Sequence, residues 1–122
     1  LKTLLKVTFV FEAATGLGLL FAPAQVVSIL LNSSLVEPSG MLLGRLAGAA
    51  LISIAIMCWM YSYKEHAGGV VKALLFYNVA AAALLVYALS GGFAGLPLWA
   101  VTLLHAGMAM WCVTLLQKNI NN

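Results

Sequence analysis

Four polar side chains stand inside otherwise apolar stretches of this chain: Glu12, Arg45, Asn78 (beside Tyr77) and His105. A carboxyl and an imidazole can each take up or release a proton, and an arginine–carboxylate fork makes a good buried pair. An imidazole can also ligate the metal of a haem or chlorophyll axially. Two readings of these residues stay open. In the first, Glu12, Arg45, Asn78 and His105 form one hydrogen-bonded network that fixes helix register. In the second, the same network binds something: a proton, a quinone, a small anion, or a haem or pigment through His105. Ionisable groups inside a membrane are functional candidates by default, because a charge at the bilayer centre costs at least ~2.5–3.5 kcal/mol.

Spacing gives these residues company. Thr8, Thr15 and Gly16 share a helical face with Glu12, and Thr102, Ala109 and Cys112 share one with His105, by three- and four-residue steps. A bis-histidine haem is disfavoured, since the other histidine, His66, falls in a loop beside Lys64 and Glu65. Cys58 and Cys112 are not a CxxC pair and are read as free thiols. Met57, Met60, Met108 and Met110 are read as packing fillers. The sequence contains no metal-ligand cluster, nucleophile elbow, phosphate loop or paired catalytic carboxylates, so the expectation is a protein that is not an enzyme. The cofactor, if any, is unknown at this point.

The elements that position these groups follow from composition. Hydrophobic residues make up 64% of the 122 residues and charged residues 7%, against roughly 25% charged in soluble domains. The six basic and three acidic residues leave a net charge of +3, and the bases do not cluster as a nucleic-acid footprint would. The class is an integral membrane protein. A bilayer core needs about 20 apolar residues of helix, and four stretches meet that: Leu4–Ala22, Met41–Tyr61, Val70–Leu89 and Leu96–Leu116. Pro23, Pro38, Gly40, Gly68-Gly69, Gly91-Gly92, Gly95 and Pro97 punctuate the connections. No span alternates with period two, which leaves helices as the way to satisfy the backbone in lipid. The expected fold is a single all-α domain over residues 1–122, a transmembrane four-helix bundle.

Orientation follows from the lysines. Lys2, Lys6, Lys64, Lys72 and Lys118 flank one side of the spans, and the opposite connections carry no Lys or Arg. The positive-inside rule makes the lysine side cytoplasmic, with both termini on it, in a bacterial inner membrane. Trp59, Tyr61, Tyr63 and Trp111 then fall near the inner interface, and Phe93 and Trp99 near the outer one. A basic start and the small-residue site Ala22-Pro23-Ala24 suggest a signal peptide, but Glu12 interrupts its apolar run, so the segment is read as a retained span.

Between the first two spans, Ala24–Asn32 reads as a short helix with Pro23 at its start and Asn32-Ser33-Ser34 at its end. Too short to cross, it is expected to lie in the outer interface with Val26, Val27, Ile29 and Leu30 facing acyl chains. At ~1.5 Å per residue, Glu12 lies about 15 Å below the outer end of its span, His105 about 13 Å below its own, and Asn78 about 12 Å above the inner end of its span. These three share one mid-membrane layer. Arg45 starts ~6 Å from the outer end of its span and can reach inward to Glu12 or outward to Glu37.

Gly40, Gly44 and Gly48 recur every fourth residue, a stripe that lets another helix backbone approach closely; Gly16 is a further close-contact candidate. A stripe left over after bundle packing would face a second protomer or a larger partner.

Several runs resemble a group of small bacterial membrane proteins with four transmembrane helices, loosely DoxX-like. They are Phe11-Glu12 through Gly16-Leu17-Gly18-Leu19-Leu20 to Ala22-Pro23; Gly44-Arg45-Leu46-Ala47-Gly48-Ala49-Ala50-Leu51 with Cys58-Trp59; Leu75-Phe76-Tyr77-Asn78; and Leu104-His105 with Trp111-Cys112. The resemblance covers nearly the whole chain. It implies a four-span bundle and brings no activity or catalytic residue with it.

Three functions are therefore in view. The first is a non-catalytic accessory or assembly subunit of a homo-oligomer or larger membrane complex, with the lipid bilayer and no nucleic acid as its surroundings. The second is a small transporter or proton-coupled carrier using Glu12, Arg45 and His105, although no inverted repeat is evident. The third is a redox or pigment accessory protein holding a quinone, haem or chlorophyll near His105.

Overall fold

A computed structural model of the chain describes residues 1–93 and 95–120, with side chains to residue 118. Among the described residues there are five helices and no strand: α1 (Lys2–Phe21), α2 (Pro23–Leu31), α3 (Pro38–Tyr61), α4 (Gly68–Ser90) and α5 (Leu96–Ile120). Four of them, α1, α3, α4 and α5, are long and apolar enough to cross a membrane.

The long helices overrun the expected spans, and mostly at their N-termini. α3 begins at Pro38 rather than Met41, and α4 at Gly68 rather than Val70. The residues read as punctuation lie inside the first turn. That position suits them, because the first backbone N–H groups of a helix have no intrahelical partner, so proline loses nothing there. In the third connection, Ala94 lies outside the described residues.

A single residue, Ala22, separates α1 from α2; its N–H still bonds Gly18 O at 2.8 Å. Pro23 opens α2 and Asn32 ends it in the left-handed region (φ 49°, ψ 42°), a conformation asparagine tolerates.

The helices pack as two antiparallel pairs, α1 with α3 and α4 with α5, while α2 touches α1, α3 and α5. The pairs meet in an apolar core at the end where α1 and α4 begin and α3 and α5 finish. Leu4 and Leu5 of α1, Cys58 of α3, Val70, Val71 and Leu74 of α4, and Met108 and Cys112 of α5 are all buried there. This is also the lysine end. Phe9 packs on Trp59 (centroids 5.0 Å) and Trp59 on Tyr63 (5.3 Å), with Lys6 Nζ 6.0 Å from the Tyr63 ring.

The glycine stripe is used within the chain. A Cβ on Gly48 would sit 2.6 Å from Leu20 N and 2.7 Å from Gly16 O, and one on Gly16 would sit 2.8 Å from Gly48 O. The backbones of α1 and α3 therefore touch at this crossing, which only two glycines allow. Gly44 faces Pro23 (3.0 Å) and Gly40 faces Leu35 (2.7 Å) in the same sense. The stripe thus seats α1, α2 and the 32–37 segment, and none of its three glycines is left over for a partner.

Candidate functional site

Helix α4 reaches to both sides of the bundle through two adjacent residues. Successive side chains on a helix diverge by about 100°, so Tyr77 points to α1 while Asn78 points to α5. The Tyr77 hydroxyl donates to Glu12 Oε2 at 3.0 Å. Asn78 Oδ1 lies 2.9 Å from His105 Nδ1, and Asn78 Nδ2 donates to Leu74 O at 2.8 Å. The Tyr77 and His105 rings meet edge to face, with centroids 5.6 Å apart and planes at 84°. Glu12 and Asn78 are buried, and His105 and Tyr77 are half-buried.

Around these groups the threonines behave as fillers of their own helices. Thr8 donates to Leu4 O (3.0 Å) and Thr102 to Leu98 O (2.7 Å). Such bonds to the carbonyl four residues back let a hydroxyl be buried without another partner. Among the described residues, every buried side-chain nitrogen or oxygen has a hydrogen-bond partner.

A cavity of about 390 Å³ opens beside this cluster. Glu12, Tyr77 and His105 form its polar wall, and Thr15 lies a turn beyond Glu12. The remaining walls are apolar: Phe11 and Ala14 from α1, Val26, Ile29 and Leu30 from α2, and Pro97, Val101 and Leu104 from α5. A volume between about 300 and 1,000 Å³, mostly apolar with a few convergent polar groups, is the usual form of a small-molecule site.

Two expectations need correction. The first concerns Arg45. It is exposed on α3 and stands outside the polar cluster, and Glu12 takes Tyr77 as its partner instead. The physical reason is the glycine crossing. Arg45 follows Gly44 by one residue, about 100° around the helix, and backbone contact on the glycine face leaves no room for a guanidinium. The single network of four groups is therefore two hydrogen-bonded pairs, Glu12–Tyr77 and Asn78–His105, joined by ring contact. The second correction concerns α2. Val26 packs against Gly18 and, with Ile29 and Leu30, lines the cavity rather than facing outward alone. α2 is a wall of the site.

Of the apolar liners, Val101 carries no mark in the sequence, and Phe11 and Leu104 figure there only as neighbours of Glu12 and His105. An apolar residue in an apolar helix carries no contrast; the only available signal was their position one to four residues from Glu12 or His105. His66 is exposed in the α3–α4 connection, so no second imidazole faces the cavity. Among the described residues, no group of three or more His, Cys, Asp or Glu side chains could hold a metal ion.

The fold and site together define a small all-helical chain with four membrane-length helices and a polar-walled cavity midway along them. No family model, curated protein or solved structure matches this chain.

Proposed function

We propose that this protein is a non-catalytic binding protein of a bacterial inner membrane, holding a lipid-soluble small molecule with a polar head in the α1–α2–α4–α5 cavity. Both termini are cytoplasmic in this reading, and α2 lies at the outer interface as the cavity's outer wall. The observation that carries it is the wall of Glu12, Tyr77 and His105 in an otherwise apolar chamber. Convergent polar groups at the wall of a mostly apolar cavity of this size are the usual form of a small-molecule site. This narrows the third function in view to its ligand-binding core, with quinone-like molecules among the candidates and bis-histidine haem disfavoured by the position of His66.

The test is extraction. Protein purified from native membranes in mild detergent is compared with a Leu104→Trp variant, which fills the cavity. The expected result is a small molecule in the solvent extract of the wild type, at least tenfold depleted from the variant at equal protein. Identical extracts overturn the reading.

A second reading, an accessory subunit of a homo-oligomer or larger complex, draws on Arg45. An exposed guanidinium on a membrane-length helix is costly unless it meets an anion. A lipid phosphate or an acidic residue of a neighbouring subunit would supply one.

A further inference from the structure

We infer that the ligand of this cavity carries a hydroxyl that donates a hydrogen bond to His105 Nε2; this rests on the binding function proposed above and specifies its ligand. A backbone carbonyl can only accept, so the group 2.8 Å from Leu74 O is the amide nitrogen of Asn78. That leaves Asn78 Oδ1, which also only accepts, facing His105 Nδ1 at 2.9 Å. The hydrogen between them must therefore sit on Nδ1. A neutral imidazole so held keeps a bare lone pair on Nε2.

Nε2 is the polar atom that His105 has left to offer the cavity it lines. Among the described residues its ring has one hydrogen-bond partner, Asn78, through Nδ1. No side-chain nitrogen that is fully buried lacks a partner, so Nε2 is accessible, and the cavity is what His105 lines. The ring cannot turn to offer Nδ1 instead without breaking the Asn78 bond. Tyr77 supplies no competing donor, because its one hydroxyl hydrogen is engaged by Glu12 Oε2.

The site accordingly presents an acceptor at His105 in a cavity whose apolar walls include Val101, Leu104 and Leu30. A ligand whose head is only a carbonyl or an ether would face lone pair to lone pair at this nitrogen. A phenol, a quinol or a long-chain alcohol meets it with O–H to N. Sites built to hydrogen-bond a hydroxyl discriminate strongly against analogues that lack it, because the buried polar group is then left unpaired.

The experiment uses the full chain in lipid nanodiscs, labelled with 15N in its two histidines, and two probes of nearly equal size: 4-octylphenol and its methyl ether. Before any probe is added, the His105 ring is expected to show a protonated Nδ1 and an unprotonated Nε2, with the exposed His66 as internal reference. The phenol is expected to shift the Nε2 resonance and to bind at least tenfold more tightly than the ether. That preference is expected to vanish in His105→Phe, while Asn78→Leu lets the ring populate both tautomers and weakens it. A resting ring with its hydrogen on Nε2 overturns the inference from wild-type protein alone, whatever the variants do. Equal binding of phenol and ether, with both lost in Leu104→Trp, overturns the hydroxyl assignment and leaves the cavity function standing. Absence of binding by either probe counts against both.

Discussion

Gly16 and Gly48 bring the backbones of α1 and α3 into contact, each with the space for its missing Cβ occupied by the other helix's main chain. A side chain at Gly48 has no flexible neighbour to push aside, since what it meets is Leu20 N and Gly16 O. Gly48→Ala is expected to destabilise the bundle by roughly 1–3 kcal/mol, the usual range for overpacking. Gly107→Ala is the control. A Cβ there meets nothing within 4 Å, so the substitution is expected to be neutral or stabilising by roughly 0.5–1 kcal/mol, the helix preference for alanine over glycine. Denaturant titration in detergent micelles, followed by far-UV circular dichroism, compares the two; equal effects would remove the backbone-contact account.

Tyr77→Phe deletes one hydroxyl and leaves the ring packed on His105. The bond to Glu12 links α1 to α4, and interhelical hydrogen bonds in membrane proteins average about 0.6 kcal/mol with a maximum near 1.7. A loss in that range is expected. Glu12→Gln keeps an oxygen acceptor for the same hydroxyl and is expected to retain most of the coupling in a double-mutant cycle with Tyr77→Phe. A cycle giving zero coupling for Tyr77→Phe against Glu12→Leu would mean the bond does not form in the membrane.

Arg45→Leu separates the lipid from the protein as its partner. If the guanidinium meets a neighbouring subunit's acid, the substitution lowers the native mass of the complex extracted in mild detergent. If it meets a lipid phosphate, the mass stays constant and the loss appears as fewer co-purifying anionic lipids. Native mass spectrometry reads both; a variant unchanged in both respects would leave Arg45 without either role.

Orientation is checked with single cysteines in a Cys58→Ser, Cys112→Ser background. Ser34→Cys lies between α2 and α3, and Lys64→Cys between α3 and α4. In intact cells a membrane-impermeant maleimide is expected to label the first and spare the second until the membrane is permeabilised. The reverse pattern would turn the protein over.

The four membrane-length helices were legible in the sequence because twenty-residue apolar runs broken by Pro and Gly leave little else to build. The mid-depth layer of Glu12, Asn78 and His105 could be placed by helical rise alone, since straight helices of similar length convert residue number into depth. Rotation was harder. Charge and side-chain length alone leave Arg45 free to reach inward to Glu12 or outward to Glu37. Its facing is set by Gly44 and Gly48, which turn it aside. Tyr77 is marked in the sequence as a polar neighbour of Asn78, but its partner, Glu12, depends on the way adjacent residues on α4 fan out toward different helices. The cavity itself was not legible, because empty space is a property of how helices tilt and not of any one residue. The role of α2 was missed for a related reason: a nine-residue apolar helix reads the same whether its apolar face meets lipid or a hollow in its own protein.

The passage from α1 into α2 has no slack. One residue, Ala22, closes the first helix through Gly18 O, and Pro23 immediately begins the second. The far end of α2, by contrast, runs through six residues before α3 starts at Pro38. Tolerance to added chain is therefore lopsided across this short helix. Extra residues between Ser33 and Ser34 can loop away at the surface, whereas the same insertion at Ala22 would shift Val26 off Gly18 and carry the wall of the chamber with it.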